Sequence, residues 1–384
     1  MKKIFWLLLL SLICLSGNAL AAGNIHYGPL EIHPYLSVKE AYTDNIFATA
    51  TDEKHDWVTT TIPGIKLALP FRTHQLSLEY NAVLTNYSDY GSEDTTDHNV
   101  GAVADFKFGS LFGLKLSDAY SKGHESRVSS TLGRIEKYDT NAACVSATYK
   151  LADRSKVQFD YTRTNWNFKL SDYRDREEDL LSAYLYYRFL PKTSAFVEYD
   201  YKNIEYDEEQ YKLDNIVNTA FLGLTWEVSD YTKGTVKGGY FVKDFDDPAK
   251  DNLSTWTAVA DLNHAFSDYS FLRLVGRRIA NESSAIGTNY YTTTGALAEY
   301  THKFTYKISG VLRASYGVDH YSDPRVTETK KRKDKTLLAG IGAKYQMKDW
   351  LEFVLDVGYR DRNSNIDYWD MEENVYSAAV NFAL

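Results

Sequence analysis

The last twelve residues, Glu373-Asn-Val-Tyr-Ser-Ala-Ala-Val-Asn-Phe-Ala-Leu384, show the pattern that decides the fold. Apolar or small side chains stand at every second position, at Tyr376, Ala378, Val380, Phe382 and Leu384. Strict alternation is typical of a β-strand that has one face in apolar surroundings and the other in water. We therefore predict that a strand is the last element of the chain.

The same alternating unit repeats through the chain, and we count about eighteen runs, which start with 35–46, include 74–87 and 155–168, and end with 373–384. Their connections alternate in length. Short ones such as 109–111 follow the even-numbered runs, and long polar ones such as 122–138 follow the odd-numbered runs. Tight turns at one end and longer loops at the other are typical of outer-membrane barrels, and a soluble sandwich gives no reason for them. The predicted fold class is all-β, a transmembrane antiparallel up-and-down β-barrel with both termini in the periplasm.

The N-terminus has the three parts of a secretory signal. Lys2 and Lys3 give a basic start, the run from Ile4 to Cys14 is apolar, and Ala19 and Ala21 are small residues at a cleavage spacing. A membrane-anchoring helix is the alternative, but the apolar run is short for a span. We predict a cleaved signal at 1–21, a short periplasmic segment at 22–34, and the barrel at 35–384.

The composition supports a membrane barrel and excludes a general nucleic-acid binder. The chain has 43 basic against 52 acidic residues, so its net charge is -9, and nucleic-acid binding needs the opposite balance. It also has 31 tyrosines, which barrels place where strands meet the membrane interfaces. At the ends of the strands next to the long connections we expect such a girdle from Tyr42, Trp57, Tyr87, Tyr120, Trp166, Tyr206, Tyr290 and Tyr321.

Period two also assigns the charged residues to one face, which must be the water side because a cation at mid-bilayer costs about 2–4 kcal/mol. The predicted lumen-lining residues are Arg188, Glu198, Asp200, Lys202, Lys233, Lys237, Arg273, Arg277, Glu299, Lys307, Arg313, Lys344, Glu352, Asp356 and Arg360. Two interpretations remain open. Opposite charges on neighbouring strands could simply pair, or the wall could favour an anionic polymer.

The long connections are mostly acidic, as at Asp172, Asp175 and Asp207. They are expected to be solvated or to meet lipopolysaccharide phosphates through divalent cations. No motif indicates an active site, a metal or a cofactor, although a hydrolase assembled from separate strands would leave no sequence order to find. Cys144 is interpreted as a small neutral wall residue rather than a reactive thiol.

The first strand ends in Tyr42-Thr-Asp-Asn-Ile-Phe47. Asp44 and Asn45 can bond neighbouring backbone where the strand leaves the membrane, while Tyr42 and Phe47 would anchor at the interface. A strand of this kind just after an export signal resembles the putative β-barrel porin 2 family, which also matches in length and in its barrel-only layout. One departure is Leu384, where such barrels more often end in Phe.

The resemblance implies an outer-membrane component of exopolysaccharide and capsule export. Our leading hypothesis is therefore a passive channel in a Gram-negative outer membrane that serves as a conduit for exopolysaccharide. Its partners would be outer-membrane lipid and lipopolysaccharide, the polysaccharide and periplasmic export machinery, with no nucleic acid. Two alternatives are a general or solute-specific diffusion porin, and a structural barrel that sheathes an electron-transfer partner.

Overall fold

The chain forms an antiparallel β-barrel in a computed structural model, which describes residues 25–127, 133–229, 231–283, 287–326 and 328–384. The predicted signal at 1–21 lies outside these residues. The strands are β1 (Ile25–Tyr27), β2 (Leu30–Thr43), β3 (Asp56–Phe71), β4 (His74–Tyr87), β5 (Thr95–Phe108), β6 (Phe112–Glu125), β7 (Glu136–Ala152), β8 (Ser155–Phe168), β9 (Arg176–Leu190), β10 (Thr193–Tyr206), β11 (Asn215–Ser229), β12 (Thr232–Phe245), β13 (Leu253–Ser267), β14 (Ser270–Glu282), β15 (Tyr290–Lys303), β16 (Ile308–Tyr321), β17 (Lys333–Lys348), β18 (Leu351–Ser364) and β19 (Met371–Ala383).

Eighteen strands, β2 to β19, close the barrel. Each pairs with the next in sequence, and β19 returns to pair with β2, from Val375 opposite Thr43 to Ala383 opposite Tyr35. Closure leaves no strand edge unpaired around the wall, which is what a sheet needs in lipid. Within the described residues, no helix is long and apolar enough to cross a membrane.

The strand boundaries agree closely with the alternation, and β4 and β8 match it to the residue. The largest difference is at the start. β2 begins at Leu30, and the short β1 pairs with it, from Ile25 opposite Ile32 to Tyr27 opposite Leu30. Gly28 allows this tight turn because its φ is 61°. Much of the segment 22–34, expected to precede the barrel, is therefore strand.

Register carries one face of the barrel continuously from strand to strand. On the outer face, large apolar side chains are exposed, among them Leu185, Leu222, Leu312 and Leu355. Such a surface is stable only in lipid. The inner face carries most of the charged residues, as described below.

The two ends of the barrel differ. The short turns form one end, which we call the short-turn end, and the connections such as 44–55 and 365–370 form the long-loop end. At the long-loop end, an Asp repeatedly accepts a hydrogen bond from the last backbone N–H of the preceding strand. The donor and acceptor pairs are Tyr87 and Asp94, Phe168 and Asp175, Tyr206 and Asp214, and Ser364 and Asp370, with N···O distances of 2.6 to 2.7 Å. Some of the acidic loop residues therefore hold the loops in shape.

Candidate functional site: the interior of the barrel

The structure places fourteen of the fifteen predicted lumen residues in strands, on one continuous face. For example, Lys237 pairs with Val259, which pairs with Arg277, and Arg273 pairs with Glu299, which pairs with Arg313. Register connects the remaining members in the same way, from Arg188 through Glu198, Asp200, Lys202 and Lys233 to Lys344, Glu352, Asp356 and Arg360.

Lys307 is the exception, because β16 begins one residue later, at Ile308. The chain turns back at this point, with Phe304 N–H donating to the Ile308 carbonyl. The Lys307 ammonium donates to the carbonyl of Met347, in the neighbouring strand. Lys307 therefore belongs to the short-turn rim rather than to the wall.

Many of the interior charges are paired with each other. The N···O distances are 2.6 Å for Lys237 and Glu198, 2.8 Å for Arg273 and Asp261, 2.5 Å for Arg313 and Asp356, 3.4 Å for Arg360 and Glu373, and 2.6 Å for Lys202 and Glu178. For these residues the simpler interpretation, pairing between nearby strands, describes the wall. Lys233, Arg277 and Lys344 make no ion pair with any described residue.

Water reaches part of this interior. The side chains of Arg273 and Asp261 point into the barrel, yet they are 52% and 39% exposed. Arg188, Lys233, Arg277 and Lys344 are exposed as well. Charged groups that face inward and still meet solvent indicate an aqueous lumen, because a dry interior would leave them desolvated.

Aromatic residues cover one wall of the interior. On β7 to β12 the inward aromatic residues are Tyr138, Trp166, Phe168, Tyr184, Tyr186, Phe196, Tyr206, Phe221, Phe241 and Phe245. Several rings are close, with centroid distances of 5.9 Å between Trp166 and Phe168 and 5.3 Å between Tyr186 and Phe196.

The expected girdle at the long-loop end is therefore only partly present. Trp166 and Tyr206 belong to the inward aromatic wall, and Tyr87 and Tyr321 also share the inner face. Each has the same strand parity as an inward charge. Tyr42 and Trp57 face outward and contact each other, with centroids 5.4 Å apart.

At the long-loop end, charged residues close over the interior. Arg174 donates two hydrogen bonds to Glu125, at 3.0 and 2.7 Å, and its guanidinium lies 3.9 Å from the Phe168 ring centroid. Lys243 pairs with Glu282, which also accepts a hydrogen bond from the Tyr206 hydroxyl at 2.9 Å. These contacts join residues that are far apart in sequence, so no local sequence pattern predicts them.

The connections themselves meet across the mouth. Arg127, in the β6–β7 connection, binds Glu93 through two hydrogen bonds and lies 5.0 Å from the Phe47 ring centroid. Gly133 of the same connection lies against Trp369, between β18 and β19, where a Cβ would be 3.7 Å from the indole. Contacts among the β2–β3, β4–β5, β6–β7 and β18–β19 connections thus narrow this end.

The motif at the end of the first strand ties the closing strands to the first long connection. Asp44 accepts hydrogen bonds from the backbone and side-chain nitrogens of Asn374, at 2.7 and 2.9 Å. Asn45 is fully buried and donates to the carbonyls of Thr49 and Glu372. Tyr42 pairs with Tyr376 and lies on the outward face. Phe47 does not, since it packs edge-on against Tyr90 beneath Arg127.

A closed barrel with lipid outside and a charged, water-exposed interior defines an outer-membrane β-barrel of the porin class. The chain belongs to the family described as putative beta-barrel porin 2, which it matches over residues 20–384. This confirms the family that the first strand indicated. No match is found among curated proteins.

Solved structures share the fold. Pseudomonas aeruginosa OpdK, crystallised with vanillate, is 11% identical, with a TM-score of 0.52, and the match covers 92% of this chain and 99% of that one. OccK5 (OpdH) and OccK2 (OpdF) from the same organism are 13% and 12% identical, each with a TM-score of 0.52 and coverage of 92% and 98%. None of these comparisons supports export of an exopolysaccharide.

Proposed function

We propose that the protein is a passive diffusion channel for small hydrophilic solutes in a Gram-negative outer membrane. The observation that carries the proposal is the solvent exposure of inward charges such as Arg273 and Asp261. A hydrated, charged wall lets a polar solute keep its hydrogen bonds while it crosses the membrane. The solute therefore avoids the free-energy cost of entering the lipid. In this arrangement the long connections face outside and the short turns and both termini face the periplasm.

The alternative of polymer export, our leading hypothesis from sequence, is less well supported. An exported polysaccharide has to leave through the long-loop end. There the connections contact one another, Arg127 with Glu93 and Gly133 with Trp369, and the buried Arg174 pairs with Glu125. Small solutes need much less of this cross-section. The similar structure that was crystallised with vanillate also concerns a small molecule.

Conductance of purified, refolded protein in planar bilayers tests the proposal. Folding is first verified by the shift in gel mobility on heating. We expect discrete, lasting current steps in potassium chloride. Folded, inserted protein that carries no current would overturn the proposal.

A second experiment separates diffusion from export. In a strain that makes the protein, deletion of its gene should slow entry of small hydrophilic solutes and leave surface polysaccharide unchanged. Loss of surface polysaccharide with unchanged solute entry would instead support export.

A further inference from the structure

A basic cavity lies in the interior at the short-turn end, against the inner wall of β5 to β9. Its volume is about 360 Å³, and its lining includes Lys107, Lys150, Arg154, Lys156, Tyr186 and Arg188. The only carboxylate side chain in the lining belongs to Asp153. Five cations thus surround one cavity with a single acidic residue beside them.

The arrangement of these cations is unfavourable without a counter-charge. Lys150 and Lys156 are direct cross-strand partners, and like charges in that position destabilise a sheet. None of the five makes an ion pair with a described residue. Arg188 donates instead to the backbone carbonyl of Asp153, at 2.6 Å. Elsewhere in the interior, Lys237, Arg273 and Arg313 each have a carboxylate partner.

The cavity also has an aromatic wall. The Lys156 ammonium lies 4.3 Å from the centroid of the Tyr186 ring. That ring is half-buried and continues towards Tyr184 and Phe196, whose centroids are 5.9 and 5.3 Å away. A flat or ring-shaped group can therefore lie against Tyr186 while a charged group reaches the cations.

We propose that this cavity binds a small organic anion, a carboxylate carried on a ring. The carboxylate takes charge-assisted hydrogen bonds from Lys150, Lys156 and Arg188, and the ring packs on Tyr186. The volume lies near the lower limit of about 300 Å³ for ligand pockets, which suits a single small acid rather than an oligomer. The inference rests on the proposed function, since it names the class of solute that the channel selects.

Equilibrium binding to the folded protein in detergent micelles tests the site without relying on conduction. The probes are benzoate and glucuronate as ring acids, acetate as an acid without a ring, and benzyl alcohol as a ring without the charge. We expect saturable binding of the ring acids and much weaker binding of acetate and benzyl alcohol. The double variant Lys150→Gln, Lys156→Gln should bind benzoate at least about tenfold more weakly, since two charge-assisted hydrogen bonds are lost.

Lys344→Gln is the matched control. Lys344 is also an inward, exposed lysine without an ion pair among the described residues, but it stands on β17, on the opposite wall from β8. It should leave benzoate binding unchanged. Tyr186→Leu should weaken benzoate and glucuronate while leaving acetate unchanged.

The outcomes separate the two proposals. Benzoate affinity that is the same in the double variant and in the unsubstituted protein would overturn the site, as would equal affinity for benzoate and benzyl alcohol. Binding of glucuronate without benzoate would support the site and restrict it to sugar acids. Intact benzoate binding in a protein that forms no channels would overturn the diffusion channel and leave the site standing.

Discussion

Charged residues line the barrel interior at both of its ends, but they differ in burial and in ion pairing. At the long-loop end, Lys243, Glu136 and Asp334 are almost completely buried, and each has a charged partner. At the short-turn end, Lys150 and Lys156 share one open cavity and have none among the described residues. A buried charge is tolerated only when it is paired, whereas a solvent-exposed charge can be neutralised by an ion from solution. The first group belongs to the fold, and the second is available to a solute.

The largest effect should come from breaking a buried pair at the long-loop end. Asp334 is 2% exposed and Arg332 3%, and their three hydrogen bonds measure 2.5 to 2.9 Å. Asp334→Ala leaves a buried, unpaired guanidinium, so we expect a loss of about 3–5 kcal/mol in the free energy of unfolding. Urea unfolding of the protein refolded into liposomes measures it.

The control breaks a pair nearer the short-turn end. In Asp261→Ala, Arg273 loses its partner but remains half-exposed to water, so stability should not change measurably. Equal losses in the two variants would show that the two ends do not differ as described.

A smaller effect is expected at the motif of the first strand. Asn45 is fully buried and bonds the backbone of both Thr49 and Glu372. Asn45→Ala leaves those backbone groups unsatisfied and should lower the free energy of unfolding by about 1–3 kcal/mol. Among the residues that the structure describes, the exposed side chain of Asn263, near the short-turn end, bonds only the Asp261 side chain, and Asn263→Ala should behave like the unsubstituted protein in the same urea titration. If Asn45→Ala were as stable as Asn263→Ala, the hydrogen bonds of Asn45 would not contribute to the stability of the barrel.

The smallest effect on stability is expected at the loops across the mouth. Arg127 and Glu93 are 26% and 12% exposed, but a glutamine can still donate a hydrogen bond to Glu93, so Arg127→Gln should cost only about 1 kcal/mol. The β6–β7 connection would nevertheless lose its ion pair with Glu93 and its contact with Phe47. We expect larger or noisier single-channel currents in bilayers. Unchanged currents would show that this connection does not limit the pore.

Sequence alternation predicted most of the fold because period two is a local property. It found β4 and β8 to the residue and put fourteen of fifteen candidate charges on one face. It failed at the first strand because Pro34 has no backbone N–H and argues against a strand there, although Leu30 and Ile32 alternate with Glu31 and His33. Lys307 does not lie on that face because it belongs to a turn rather than to a strand.

The candidate site was much less accessible to sequence. The positions of Trp166 and Tyr206 near strand ends predict a girdle, but their parity places them inside. Arg174 meets Glu125 across 49 residues, a distance over which no periodicity operates. The basic cavity was missed because an unpaired charge is recognised only when every possible partner has been placed.

Cys144 offers the most direct test of a water-filled interior. It lies on the inner face of β7, opposite Ser117 and Thr162, is half-buried, and is the only cysteine among the described residues. The measurement is the rate at which a charged, membrane-impermeant thiol reagent modifies Cys144 in folded protein in liposomes. We predict modification without unfolding, accompanied by a fall in channel conductance. Protection of Cys144 until the barrel is unfolded would contradict an aqueous channel.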